Sequence, residues 1–187
     1  MKMFIVAIGA CIFSTIVSYA RLGENIDECK ARYGAWTSFN TINEKRSRAE
    51  FSAAIMDVDI IFYEGICESI TYRRREGIHK SVVFSDAEYE VLKNINTEGV
   101  EWVKENDLYG ILLDKWRTSS GSHYATRTCA DKGTLFRNGI PINDTTFCEV
   151  TIMTAIAIEH NEQDREQERL NTKARNENDA MQYLKGY

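Results

Sequence analysis

The 187 residues suffice for one domain with its own core, and the formal charge of −5 (28 acidic against 23 basic side chains) argues against nucleic-acid binding. Neutralising phosphate needs clustered Lys and Arg. A chain that is 43% hydrophobic and 27% charged, with a single proline, reads as a globular domain with a solvated surface and without a long Pro-rich linker.

The first twenty residues place Lys2 ahead of an apolar run that ends on Ser18, Tyr19 and Ala20. This pattern predicts an export signal over 1–20, cleaved between Ala20 and Arg21. A retained anchor needs about 20 apolar residues to cross roughly 30 Å of hydrocarbon. The run from Met3 to Tyr19 is shorter and is broken by Gly9, Ser14 and Thr15. A lipidation box at Ile8 to Cys11 is the rival reading, and the apolar run continuing past Cys11 argues against it. The protein is therefore expected to be exported, periplasmic or secreted, with no stable membrane span after cleavage. Loss of Lys2 leaves it more acidic.

Export gives the cysteines a meaning. Cys29, Cys67, Cys129 and Cys148 remain in an oxidising compartment, where two structural disulfides are expected. Three pairings are possible; Cys29 with Cys67 and Cys129 with Cys148 is preferred, because each couples neighbouring elements within one half of the chain. A four-cysteine zinc site would need short knuckles, and no two of these cysteines lie within four residues of each other.

In chain order, Ile26, Cys29 and Tyr33 recur at helical spacing and Gly34 offers a C-cap, predicting a helix over 24–33. The polar stretch 36–48 reads as an irregular strand or a loop. Val58, Ile60 and Phe62 then alternate with Asp57, Asp59 and Ile61, and Glu64-Gly65 turns the chain into 66–72, predicting a hairpin. Ser85-Asp86-Ala87-Glu88 is a capping box opening a helix with Tyr89, Leu92 and Ile95 on one face. After Gly99, a second short helical run is expected through Val100, Trp102 and Val103. Strands follow around Trp116, over 123–129 and 134–136, with turns at Ser120-Gly121 and Lys132-Gly133, and a last strand spans 147–153.

The tail, 155–187, is charged. Leu170 and Ala174 give it one thin stripe, and Glu162 with Arg165 and Glu166 with Arg169 support a helix by about 0.2 to 0.5 kcal/mol per pair. It reads as a solvated helix, the alternative being a helix that orders on a partner.

Helix followed by strands, twice, predicts an α+β domain over 21–154: an antiparallel sheet with helices packed on one face. The repeated order suggests two tandem helix-plus-hairpin units, 21–80 and 81–154. The segment Leu22-Gly23-Glu24-Asn25-Ile26-Asp27-Glu28-Cys29-Lys30-Ala31-Arg32-Tyr33-Gly34 resembles the opening of small exported bacterial proteins of unknown function, which begin LGE, then a helix with a cysteine, then RYG. Looser similarity extends to Phe62-Tyr63-Glu64-Gly65, Phe84-Ser85-Asp86-Ala87-Glu88 and Thr151-Ile152-Met153-Thr154. The glycine, short helix, second glycine and hairpin also resemble the SmpA/OmlA and β-lactamase-inhibitor type of envelope module. That resemblance implies a protein-binding scaffold without catalytic residues; no binding residue carries over.

No motif declares a chemistry. His79, His123 and His160 lack metal-ligand spacing, and no cofactor or metal site is expected. Ser119-Ser120-Gly121-Ser122-His123 sets hydroxyls beside an imidazole, but strand neighbours point to opposite faces, so a turn explains it better. Asp57 and Asp59 share a strand face and read as its polar side. Arg73-Arg74-Arg75 with Lys80 reads as a solvated loop, the alternative being a basic run that touches an anionic envelope surface or a partner; Trp36, Trp102 and Trp116 read as core anchors, and Asn143-Asp144-Thr145 as a glycosylation sequon only in a glycosylating host. The expected function is an exported, non-enzymatic binding or structural module whose partner is an envelope or extracellular protein. The alternative is a secreted hydrolase built around Asp57, Asp59, His123 and Arg127.

Overall fold

Two capping boxes start the first two helices. A computed structural model describes residues 21–53, 55–75, 84–97, 99–105, 113–130, 136–137, 140–141 and 147–185. In α1 (Ile26–Tyr33) the Asn25 side chain accepts from the amides of Asp27 and Glu28, and the Glu28 carboxylate accepts from the Asn25 amide. The helix stops at Gly34, whose φ of +87° suits glycine and whose N–H donates to the Lys30 carbonyl. In α2 (Asp86–Asn96) Ser85 and Glu88 exchange the same two bonds, as the sequence predicts.

The first half continues with β1 (Trp36–Thr41), β2 (Arg46–Ser52), β3 (Met56–Tyr63) and β4 (Ile66–Arg74). The expected hairpin is β3–β4, turned by Glu64 and Gly65 with φ of +50° and +82°. The second half gives β5 (Trp102–Lys104), β6 (Leu113–Thr118), β7 (His123–Ala130), a two-stranded β8 (Phe136–Arg137) with β9 (Ile140–Pro141), and β10 (Phe147–Thr154) running directly into α3 (Ala155–Lys185). The stretch 36–48 holds an irregular strand, one of the two forms expected there: β1 pairs with β2 and its register shifts between Trp36 and Ser38. One expectation is corrected: the helical run predicted through Val100, Trp102 and Val103 gives way to β5, paired to β6. Trp102 and Val103 satisfied either period over so short a run, and strand pairing decided it. The export signal, Cys11, His79, Lys80, the Lys132-Gly133 turn and the Asn143 sequon lie outside the described residues.

Eight strands form one antiparallel sheet in the order β1-β2-β3-β4-β10-β7-β6-β5. The two halves thus share a single sheet, joined where β4 pairs with β10. Strand alternation gathers the core on one face. One row runs Phe51, Val58, Tyr72, Val150, and the next Ala49, Ile60, Ile70, Ile152, Ala125, Trp116. Cys29 of α1 and Tyr89 and Leu92 of α2 join this cluster, Tyr33 packs 5.5 Å from Phe51, and Asn96 donates to the Tyr72 hydroxyl. Each such large apolar side chain contributes about 1.5–3 kcal/mol by leaving water. α3 makes its contacts elsewhere, with Arg46, Tyr63 and Glu68; by alternation Arg46 and Tyr63 stand on the face opposite Ala49 and Phe62.

Candidate functional site

The outer face carries a row of charge and hydroxyl. Arg48 donates two bonds to the Asp59 carboxylate, at 2.8 and 2.5 Å, and also reaches Glu50 at 3.1 Å. Arg73 lies 3.7 Å from Asp59 on one side and donates to Glu149 at 3.1 Å on the other. The Thr71 and Thr151 hydroxyls share a hydrogen bond of 2.9 Å across the β4–β10 junction. Asp57 accepts from Arg75 and Ser52 nearby. Arg48, Glu50 and Arg73 remain 38%, 42% and 44% exposed, so this lattice is open to a partner.

These pairings correct the reading of the arginine run as solvated loop. Arg73 and Arg74 belong to β4, so they point to opposite faces: Arg73 reaches Glu149, and Arg74 pairs with Glu88 of α2. Bonds from Ser85, with the neighbouring Arg74, outweigh burial and hold the Glu88 carboxyl below its ordinary value.

The four residues of the hydrolase reading do not converge. Asp57 and Asp59 are held in ion pairs on the outer face of β3. Arg127 projects from β7 on the core side, where it binds Asp114 and Asp86 and donates to the Phe84 carbonyl. β3 and β7 are three strand spacings apart, about 14 Å. His123, at the start of β7, meets its neighbour instead, its Nδ1 lying 2.8 Å from the Ser122 Oγ. Strand alternation argued against that contact, but Ser122 sits in the bend before β7 and escapes it. The Ser120 and Thr118 hydroxyls complete the turn, and half-burial pushes the His123 imidazole below its ordinary value.

Two further clusters were not legible in the chain. Lys93 of α2 is fully buried, its ammonium 3.3 Å from the Trp116 ring centroid, 4.9 Å from Tyr89 and 5.6 Å from Trp102, with Glu90 Oε1 at 2.7 Å. Burial lowers its pKa and Glu90 opposes that shift. Trp102 and Trp116 do pack against the core, and what they surround is this internal cation. The second cluster docks α3. Arg46, almost wholly buried, pairs with Glu68 at 2.7 Å, with Asp164 and with the Asn161 side chain; His160 Nδ1 lies 2.6 Å from Glu68 and its ring stacks on Tyr63 at 4.1 Å. Glu68 is free to take this role because the β3–β4 register shifts between Ile61 and Phe62, which leaves it unopposed.

Cys129 and Cys148 are direct cross-strand partners in β7 and β10 and form a disulfide, as preferred from the sequence. Cys29 and Cys67, the other preferred pair, are not bonded in the structure and lie in the same buried cluster as thiols. Among the described residues, no group of three or more His, Cys, Asp or Glu side chains is arranged to hold a metal, and no helix is long and apolar enough to cross a membrane.

No protein-family model matches the chain, and no curated protein matches its sequence. Among solved structures it matches a cysteine-rich secretory protein from Staphylococcus aureus subsp. aureus Mu50, at 9% identity and a TM-score of 0.40, over 73% of this chain and 46% of that one. The chain thus spans about half the length of that structure, and a likeness at this level bears on neither activity nor partners.

Proposed function

We propose that this chain is an exported, non-enzymatic binding module that presents the outer face of its sheet to an envelope or extracellular protein. The observation that carries the reading is the Arg48, Asp59, Arg73, Glu149 lattice, which spans four adjacent strands and stays open on its outer side. Alternating charges on a rigid sheet confer specificity and orientation, because a partner must match their order. The export-signal pattern and the Cys129–Cys148 disulfide support an oxidising compartment, and the likeness to envelope modules supports a scaffold role.

The test compares immobilised wild-type protein with Arg48→Ala and Arg73→Ala variants against envelope extract and culture medium. A defined protein retained by wild type and weakened about tenfold by either substitution supports the reading. Repeated recovery of nothing above background, or equal retention by both variants, overturns it. In parallel, turnover of an ester, peptide or glycoside substrate that disappears in His123→Ala would replace the binding module with a hydrolase centred on the Ser122–His123 contact.

A further inference from the structure

We propose that Cys29 and Cys67 are joined in the mature protein by a second disulfide, one that forms before α1 docks on β4 and is afterwards closed to exchange. Both side chains are at most 1% exposed and sit in one cluster. The backbone brings them there: the Gly23 amide donates to the Cys67 carbonyl and the Cys67 amide to the Glu24 carbonyl, both at 2.8 Å, while Asn25 bridges Ile66. Cys29 follows Asn25 by one helical turn, and its amide donates to the Asn25 carbonyl, so that turn places Cys29 over the start of β4.

The environment explains the order of events. Burial pushes the Cys29 thiol up to about 12, and burial followed by the nearness of Cys29 pushes Cys67 well above its ordinary value. Exchange proceeds through a thiolate that must reach its disulfide partner, so neither sulfur reacts once the cluster has closed. Before closure, one thiolate attacks a disulfide-carrying oxidant of the exported compartment, breaking its S–S bond and forming a mixed disulfide. The second thiolate attacks that intermediate, the Cys29–Cys67 bond forms, and the oxidant leaves as a dithiol carrying both protons. Cys129, only partly buried at a cross-strand position, stays within reach of solution. The proposal uses the export reading only for the source of the oxidant.

Refolding separates the two questions. The full chain is reduced in urea and refolded with a mixture of oxidised and reduced glutathione present from the start, or refolded fully reduced and given the same mixture afterwards; cysteines are then alkylated under denaturing conditions and mapped by peptide mass. Both bonds are expected in the first order, and in the second Cys129–Cys148 alone, with Cys29 and Cys67 alkylated. Free Cys29 and Cys67 in both orders, or a bond from either to Cys11, overturns the pairing. Equal rates for both bonds in the second order overturn the closure. Since glutathione replaces the cell's oxidant, failure of the export reading leaves this result unchanged.

Discussion

Arg46 and Glu68 face each other at 2.7 Å with side chains only 3% and 6% exposed, and His160 reaches the same carboxylate from α3. Removing one member of a buried pair strands the other charge in a medium that solvates it poorly. Arg46→Ala is therefore expected to lower unfolding stability by about 3–5 kcal/mol in urea titrations followed by tryptophan fluorescence. The double variant Arg46→Met/Glu68→Leu, which removes both charges, should cost less than the single one. Hydrogen exchange over 155–164 should accelerate in Arg46→Ala, since Asp164 and Asn161 bond to the same guanidinium.

Beyond that clasp, α3 stands clear. Residues 165–181 are exposed at every position, held by surface pairs such as Glu166 with Arg169 at 2.7 Å. Deleting 168–187 should change unfolding stability by less than about 0.5 kcal/mol, whereas deleting 155–187 removes His160 and Asp164 and should cost several kcal/mol. Urea midpoints of the two truncations check this.

Stability should fall on the mildly acidic side of neutrality. His123 has its pKa lowered from 6.5 in the folded chain, so the unfolded state takes up the proton first. The contribution is complete above about 6.5 and is lost as pH falls from there toward the folded value, with a slope no steeper than about 1.4 kcal/mol per pH unit. His123→Gln should flatten this part of the profile. Further into acid, Asp114 should add a second decline. Burial disfavours its charge, but bonds from Lys104 and Arg127 outweigh that and hold its pKa below 3.8, so its contribution goes as pH falls below the unfolded value.

Lys93 tests the aromatic enclosure. Acetylation of the native protein should modify exposed lysines such as Lys45, Lys104 and Lys173 and leave Lys93 untouched until denaturant is added, by peptide mass mapping. Lys93→Glu places a carboxylate against three ring faces and should destabilise the fold by at least about 3 kcal/mol.

What the sequence determined by itself is local. The Ser85 cap, the Gly34 helix end, the Glu64-Gly65 turn and the alternation of Val58, Ile60 and Phe62 each depend on residues a few positions apart, where hydrogen-bond geometry and side-chain period leave little choice; the Asn25 cap, inside the predicted helix 24–33, emerged only with the structure. The Cys129–Cys148 bond is also within reach of the sequence, since it couples neighbouring elements within one half of the chain. Only tertiary structure decided that the last strand, β10, sits at the centre of the sheet beside β4, that the Trp102 segment is a strand, that Arg73 and Arg74 part to opposite faces, and that His160, a tail residue with no motif around it, closes on Glu68. Each of these depends on strand order, register or a bulge, and their energies come from groups far apart in the chain, such as Arg46 and Asp164, which are separated by 118 residues. Periodicity reports which way a side chain points along its own element; it holds no information about which element lies opposite.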